Sequence, residues 1–232
     1  MRKHYICESP FQMKDKEGQE YTLTINVDEF PDDPRNWDNM CTIVCWHNRY
    51  NLGDKHTFND ADEFCESLCY KVLHKDHDDF YHLNLQEKIN MLNDSDLILI
   101  KPINMYEHGN ITVSTSNAYP YNDRWDAGCI GFIYITKEKI LKETLNTAEN
   151  WKETADTLIE AEMTTYDDYC RGDVYDFTLT KKVIKQDVCP HCGEVINEYV
   201  EDEIVESCGG FYGDCLEDNG IMDCLGNVDF IK

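Results

Sequence analysis

The chain has 232 residues, of which 41% are hydrophobic, and this content is enough to build a core. Its 46 Asp and Glu residues against 21 Lys and Arg residues give a formal net charge of −25, which repels nucleic-acid phosphates and disfavours direct nucleic-acid binding. The 14 Tyr, 9 Phe and 4 Trp exclude an acidic disordered chain, and no apolar run reaches membrane-spanning length.

The first residues, 1–8, lack the apolar segment that is typical of a secretory signal. We therefore expect a protein of the host-cell cytoplasm with no membrane partner. In that compartment its 12 cysteines are expected to be reduced thiols.

Local patterns predict the elements of the first hundred residues. Apolar and polar residues alternate over 21–27 and predict a strand, after which two prolines make 30–39 a loop. Residues 41–46 return to a strand. A helix is predicted from Asn59 or Asp60 to about Leu73, and a shorter one over 85–92.

The middle of the chain has the pattern of an antiparallel sheet with helices. Segments 96–101 and 111–116 flank the turn-prone residues 107–110, so they predict a hairpin that 129–135 extends. Further helices are predicted at 137–145 and 150–169, and a long strand at 174–184. Strands joined by hairpins, with helices inserted in clumps, indicate an α+β fold with a largely antiparallel sheet and packed helices.

The composition changes at about residue 186. The segment 186–232 carries twelve acidic residues against one basic residue, Lys232, and it contains the sequence Cys189-Pro-His-Cys192. We therefore predict an α+β domain over 1–185 and a small, acidic, cysteine-containing C-terminal module over 186–232.

The Cys-Pro-His-Cys-Gly sequence is typical of half of a zinc site. Cys208 follows at the spacing of a zinc ribbon, and Cys215 is the next cysteine. The predicted ligands of one structural zinc ion are Cys189, Cys192, Cys208 and Cys215. Cys224 is the other candidate for the fourth ligand. The alternatives to a zinc site are scattered free thiols without a metal and a redox pair, which needs a thioredoxin-like βαβ setting that this sequence does not show.

Two further sets of residues could carry a different chemistry. An enzyme, such as a metal-dependent nuclease or nucleotide hydrolase, would bring carboxylates and imidazoles together from His47, Asp54, His56 and Asp126. A protein that sequesters a signalling nucleotide would line one cavity with Arg49, Tyr50, Arg124 and Trp125. The cysteines near His47, at 41 and 45, are more simply read as core residues.

Four stretches resemble a family of small acidic proteins that bacteriophages and mobile elements encode. They are Trp46-His-Asn-Arg-Tyr-Asn-Leu-Gly-Asp54, Trp125-Asp-Ala-Gly-Cys-Ile-Gly-Phe-Ile-Tyr-Ile-Thr-Lys-Glu-Lys139, Tyr166-Asp-Asp-Tyr-Cys-Arg-Gly-Asp-Val-Tyr-Asp-Phe177 and Ser207-Cys-Gly-Gly-Phe-Tyr-Gly213. The resemblance implies an accessory phage protein. In that setting strongly acidic proteins often block host defence by occupying nucleic-acid grooves.

Charge and resemblance together favour an interaction protein over an enzyme. The expected partner is a basic, nucleic-acid-binding host defence protein, such as a CRISPR effector or a restriction enzyme, which the acidic surface engages in place of nucleic acid. The candidate binding residues are Glu198, Glu201, Asp202, Glu203 and Glu206, with Glu153, Asp156, Glu160 and Glu162 on the exposed side of the long helix.

Overall fold

The structure is a computed structural model that describes residues 3–144 and 150–231. The strands are β1 (Phe11–Lys14), β2 (Glu20–Val27), β3 (Thr42–Cys45), β4 (Ile98–His108), β5 (Asn110–Ser114), β6 (Ala127–Thr136), β7 (Val174–Val188), β8 (Val195–Tyr212) and β9 (Asp229–Phe230). The helices are α1 (Ala61–Leu73), α2 (His77–Phe80), α3 (Leu85–Asp94), α4 (Lys137–Glu143), α5 (Trp151–Arg171) and α6 (Ile221–Cys224). The predicted α+β class is confirmed, because both sheets are antiparallel and helices accompany them.

The chain divides into two units. The central unit runs from Asp33 to Arg171, and the terminal unit combines the segment up to Asp32 with the segment from Gly172 onwards. The predicted boundary at residue 186 does not coincide with this division. The reason is that β7 continues through residue 186 and pairs with β8 from Val174↔Tyr212 to Val188↔Val195, so the acidic segment is not a separate module.

The central unit is a four-stranded sheet with helices on both faces. The strand order is β3-β6-β4-β5, so the three segments predicted to share a sheet do so. Alternate residues of one strand point to opposite faces: Val44 packs with Phe64 of α1 and Leu92 of α3, whereas Ile43 packs in a second cluster with Ile159 of α5. Each face of the sheet therefore has its own apolar core.

Local signals account for the helix boundaries. The carboxylate of Asp60 accepts hydrogen bonds from the backbone N–H groups of Asp62 and Glu63, which is the N-cap that starts α1. The longest helix, α5, has 21 residues and buries one apolar stripe against the sheet. Within 3–144 and 150–231, none of the helices has both the length and the apolar character that crossing a membrane requires.

The terminal unit is a five-stranded sheet of order β8-β7-β2-β1-β9. Its core packs residues of β1, β2 and β7 against the chain that follows β8: Phe11, Leu23, Phe177, Leu179 and Leu216. The central pairing of the sheet joins β2 to β7 over a long sequence separation, with Leu23 opposite Leu179. The two ends of the chain therefore build one sheet.

The far ends of β7 and β8 continue past this core as a two-stranded hairpin, here called the ribbon (residues 181–206). Its side chains are largely exposed on both faces. Ile184, Val200 and Ile204 are 67%, 63% and 64% exposed, although such β-branched residues are usually buried. A two-stranded ribbon has little stability of its own in water, so these residues are available for contact with another molecule.

Glu217 attaches the chain after β8 to the N-terminal segment. Its carboxylate accepts hydrogen bonds from the backbone N–H of His4 at 3.0 Å and lies 2.6 Å from Nδ1 of the same residue. Partial burial opposes ionisation, but the backbone and side-chain hydrogen bonds from His4 outweigh it and lower the pKa of Glu217 from 4.5 to about 2.

We expect this contact to make stability depend on pH. Because the pKa is lowered in the folded state, the ionised carboxylate stabilises the fold above pH 4.5, and this contribution is lost as the pH falls towards about 2. Urea unfolding of the native chain and of Glu217→Gln across this range measures the effect. The difference in unfolding free energy between the two proteins should shrink as the pH falls. A difference that stays constant from neutral pH to pH 2 would contradict the prediction.

Candidate acidic interface and metal knuckle

The predicted acidic residues of the C-terminal segment all lie on β8, the edge strand of the terminal sheet. They are Glu198, Glu201, Asp202, Glu203 and Glu206, and all are exposed. Within the described residues β8 pairs with β7 alone, so its other edge faces outward. A strand advances about 3.3 Å per residue, and one DNA strand carries one phosphate per about 3.4 Å of helix axis. Because successive side chains of a strand point to opposite faces, Glu201 and Glu203 lie on one face and Asp202 on the other, and one face repeats negative charge at about half the axial density of a DNA strand.

Lysines of β7 neutralise part of this charge. The Nζ atoms of Lys181 and Lys185 lie 3.7 and 3.9 Å from carboxylate oxygens of Glu203, and Lys182 is the register partner of Asp202. The other three carboxylates have uncharged register partners: Glu198 faces Gln186, Glu201 faces Val183 and Glu206 faces Leu179. These three residues, 198, 201 and 206, are here called the uncompensated carboxylates.

The acidic residues predicted on the long helix belong to the central unit and have mixed surroundings. Glu153 is exposed. Asp156 and Glu160 lie 2.6 and 2.8 Å from Nζ of Lys101, which offsets their charge. Glu162 was predicted on the exposed side of the helix, and this is wrong. Its side chain is only 16% exposed and forms an ion pair with Arg35.

A buried arginine organises the start of the central unit. The side chain of Arg35 is 5% exposed, and its Nε and Nη2 donate to the two carboxylate oxygens of Asp54, each at 2.9 Å. Its Nη1 donates to Glu162 at 3.0 Å, and Nη2 also donates to the carbonyl of Cys41. The second oxygen of Glu162 accepts from the backbone N–H groups of Met40 and Cys41. This network is structural, and its members are far apart in sequence.

The four residues of the enzyme hypothesis do not meet in one cleft. His47, Asp54 and His56 line a cleft of about 600 Å³, whereas Asp126 lines a second cleft of about 540 Å³ in which His47 also takes part. Both carboxylate oxygens of Asp54 accept hydrogen bonds from Arg35. A carboxylate oxygen of Asp126 lies 3.1 Å from Nδ1 of His108. His56 bonds through Nε2 to the carbonyl of Cys45 at 2.9 Å. Both carboxylates and Nε2 of His56 are thus engaged by other groups, whereas Nδ1 of His56 is buried without a hydrogen-bond partner among the described residues.

The thiols beside these clefts are core residues. Cys41 and Cys45 are 2% and 8% exposed. Burial is the main cause that raises the pKa of the Cys45 thiol to about 12, and burial also raises the pKa of Cys41. Because the thiolate is the reactive form of cysteine, neither residue is prepared for nucleophilic attack.

The residues of the sequestration hypothesis come together only in part. Arg49 and Trp125 line the cleft of about 540 Å³, and the guanidinium of Arg124 lies 6.0 Å from the centre of the Trp125 ring. Tyr50 lines the other cleft. Arg49 forms an ion pair with Glu107. Glu107 and Asp126 both line the same cleft as Arg49. These two carboxylates disfavour a phosphate ligand.

The Cys-Pro-His-Cys sequence forms the tip of the ribbon. The backbone N–H of Cys189 donates to the carbonyl of Glu194 at 2.7 Å, and Gly193 donates to the carbonyl of Cys189 at 2.9 Å with a φ of +77°. Amides of Cys192 and His191 that hydrogen-bond to the sulfur lower the pKa of the Cys189 thiol. Amides directed at a thiolate, in a turn closed by glycine, are the arrangement of a metal knuckle. We refer to residues 189–193 as the knuckle.

The other two predicted ligands lie elsewhere, and this corrects the ligand set. Cys208 pairs with Phe177, eleven residues along β7 from Val188, which places it about 36 Å from the tip at the rise of a strand. Cys215 lies beyond β8, in a bridge with Tyr5. Zinc–sulfur bonds are about 2.3 Å long, so neither cysteine reaches a metal at the knuckle. Across residues 3–144 and 150–231, no three His, Cys, Asp or Glu residues are grouped to hold a metal ion.

Sequence reasoning found the knuckle and the carboxylates but missed the ribbon that carries them. The available signal was the enrichment of β-branched residues on both sides of the knuckle, at 183, 184 and 188 and at 195, 196, 200, 204 and 205. Comparison with models of protein families, with curated proteins and with solved structures finds no match to this chain.

Proposed function

We propose that this chain is an interaction protein whose acidic ribbon binds a basic, nucleic-acid-binding protein and competes there with nucleic acid. In the phage setting that the sequence resemblance implies, the partner is a host defence effector and the effect is inhibition. The observation that carries the proposal is the row of carboxylates along the exposed edge strand β8.

The ribbon has properties that support such binding. A strand in a hairpin spaces the carboxylates of each face at a fixed repeat, which a row of Lys and Arg residues on a partner can match. The outer edge of β8 also offers backbone N–H and C=O groups. Exposed apolar residues of the ribbon, such as Ile184 and Val200, add contact area beside the charges.

The contacts of the central unit favour this reading over an enzyme. Asp54 is held by a buried arginine, and the thiols of Cys41 and Cys45 are protonated core groups. A catalytic metal or an acid–base pair requires groups that converge on one point of a cleft. The residues of the enzyme hypothesis do not satisfy that requirement.

The strength of binding is expected to be collective. An exposed ion pair contributes about 0.2–1 kcal/mol, so affinity arises from several pairs together and from the fast association of opposite charges. Salt weakens such binding, because the Debye length falls from about 10 Å at 0.1 M to about 3 Å at 1 M ionic strength.

The test uses purified CRISPR effectors and restriction enzymes, with the native chain as the ligand. We expect at least one of these proteins to bind the chain at 0.1 M salt, to lose most of that binding at about 1 M salt, and to release its DNA or RNA as the chain is added. Calorimetry and a nucleic-acid displacement assay measure the two effects. Binding that leaves the nucleic acid in place, or that is unchanged by salt, would count against the proposal.

A further inference from the structure

The knuckle at the tip of the ribbon holds two cysteines in a turn typical of metal sites, yet the described part of the chain places no further ligand with them. Cys192 is exposed and Cys189 is half-buried, so both sulfurs are accessible. Zinc in structural sites takes four ligands in a tetrahedron. Within residues 3–144 and 150–231, no third and fourth ligand accompany this pair.

The knuckle lies where metal ligands from another molecule can reach it. It is at the end of a hairpin that extends past the core of its unit, and the residues around it are exposed. The nearest cysteine along β8, Cys208, lies beyond the ribbon and about 36 Å from the knuckle along the strand. Ligands from another molecule would complete the site.

We propose that the knuckles of two copies of this chain bind one zinc ion between them, with Cys189 and Cys192 of each copy as the four ligands. A second copy is the occupant because it brings an identical half-site, with two thiolates held by the same turn. A two-fold axis through the metal satisfies both halves at once, as in other symmetric dimers.

The charge of the chain opposes this dimer, and salt screens that repulsion. Two copies at −25 each repel one another, and the acidic residues Asp187 and Glu194 flank the knuckle, so the dimer is expected to form more readily as the Debye length falls to about 10 Å at 0.1 M salt and below. The zinc ion carries two positive charges and balances two of the four thiolate charges that meet at the contact.

The dimer would present two ribbons to a binding partner, where the monomer presents one. Linked binding sites gain in overall affinity when both can engage the same target. The inference does not depend on the proposed function, because zinc content and mass are measured on the chain alone.

The test is zinc titration of the reduced, full-length chain, with mass measured by sedimentation and metal by elemental analysis. We expect a dimer that contains one zinc ion per two chains, and a monomer after chelation. Cobalt in place of zinc should give the absorption spectrum of a tetrahedral site with four thiolates, which a mixed site with His191 would not give.

Variants separate the knuckle from the other thiols. The double change Cys189→Ser and Cys192→Ser should abolish both zinc binding and the dimer, with the circular dichroism spectrum unchanged. Cys208→Ser, on β8 outside the ribbon, and His191→Ala, within the knuckle, serve as controls and should keep both. A monomer that binds one zinc ion per chain, a chain that binds no zinc, or a dimer that survives chelation would each overturn the proposal.

Discussion

Replacing Arg35 by methionine is expected to lower the free energy of unfolding of the protein by about 3–5 kcal/mol, the usual cost of removing one partner from a buried ion pair. The guanidinium, 5% exposed, is the shared donor to Asp54 and Glu162 and to the carbonyl of Cys41. Without it, two carboxylates that are mostly shielded from water face each other with no cation between them. Urea or thermal unfolding measures the change.

A matched control is available in the same unit. Lys101 also lies between two carboxylates, but Asp156 and Glu160 are 56% and 51% exposed, so Lys101→Met should cost only about 0.4–2 kcal/mol, the sum of two exposed ion pairs. Adding Asp54→Asn and Glu162→Gln to the Arg35 variant should recover part of the loss, because amide oxygens still accept the backbone N–H groups. Equal costs for the arginine and lysine variants would show that burial is not the cause.

Much of the fold could be predicted because its signals are local. Alternation over 21–27 predicted β2, the turn at 107–110 predicted the hairpin of β4 and β5, and the Asp60 cap predicted the start of α1. Each signal arises from residues within one turn or one strand of each other. The sequence also favoured core positions for Cys41 and Cys45, because cysteine behaves as a small hydrophobe, and both are buried.

The division into units could not be predicted in the same way. It depends on the pairing of β2 with β7, for example Leu23 with Leu179, and no local pattern specifies which distant strand will be the neighbour. The network of Arg35 has the same character, since Asp54 and Glu162 lie 19 and 127 residues away in sequence.

The predicted zinc ligands failed for a geometric reason. The number of residues between two cysteines gives the length of chain that joins them, but the distance between the two sulfurs depends on how that chain folds. The residues between Cys192 and Cys208 belong mostly to an extended strand, so the spacing typical of a compact zinc ribbon here separates the two sulfurs widely. The geometry of the Cys-Pro-His-Cys-Gly turn could be predicted, in contrast, because it depends only on residues within the turn, such as Gly193, which hydrogen-bonds to Cys189.

The uncompensated carboxylates provide the sharpest test of the acidic interface. The triple change Glu198→Gln, Glu201→Gln and Glu206→Gln should weaken binding to the basic partner by a factor of about 3 to 150, the sum of three exposed ion pairs at about 0.2–1 kcal/mol each. Neutral amides are preferable to lysines here. Lysines placed on β8 would add positive charge beside Lys181 and Lys185 and could disturb the hairpin itself.

A control is needed to distinguish the effect of net charge on affinity from the effect of direct contacts at the ribbon. The control changes Glu17→Gln, Glu29→Gln and Asp94→Asn remove the same charge from exposed positions outside the ribbon. If binding depends on the ribbon, the control should keep most of its affinity, whereas the ribbon variant should also show a weaker dependence on salt, since fewer ion pairs form. Equal losses in the two variants would mean that net charge attracts the partner and that the ribbon has no special part. An unchanged affinity in the ribbon variant would move the interface away from β8 altogether.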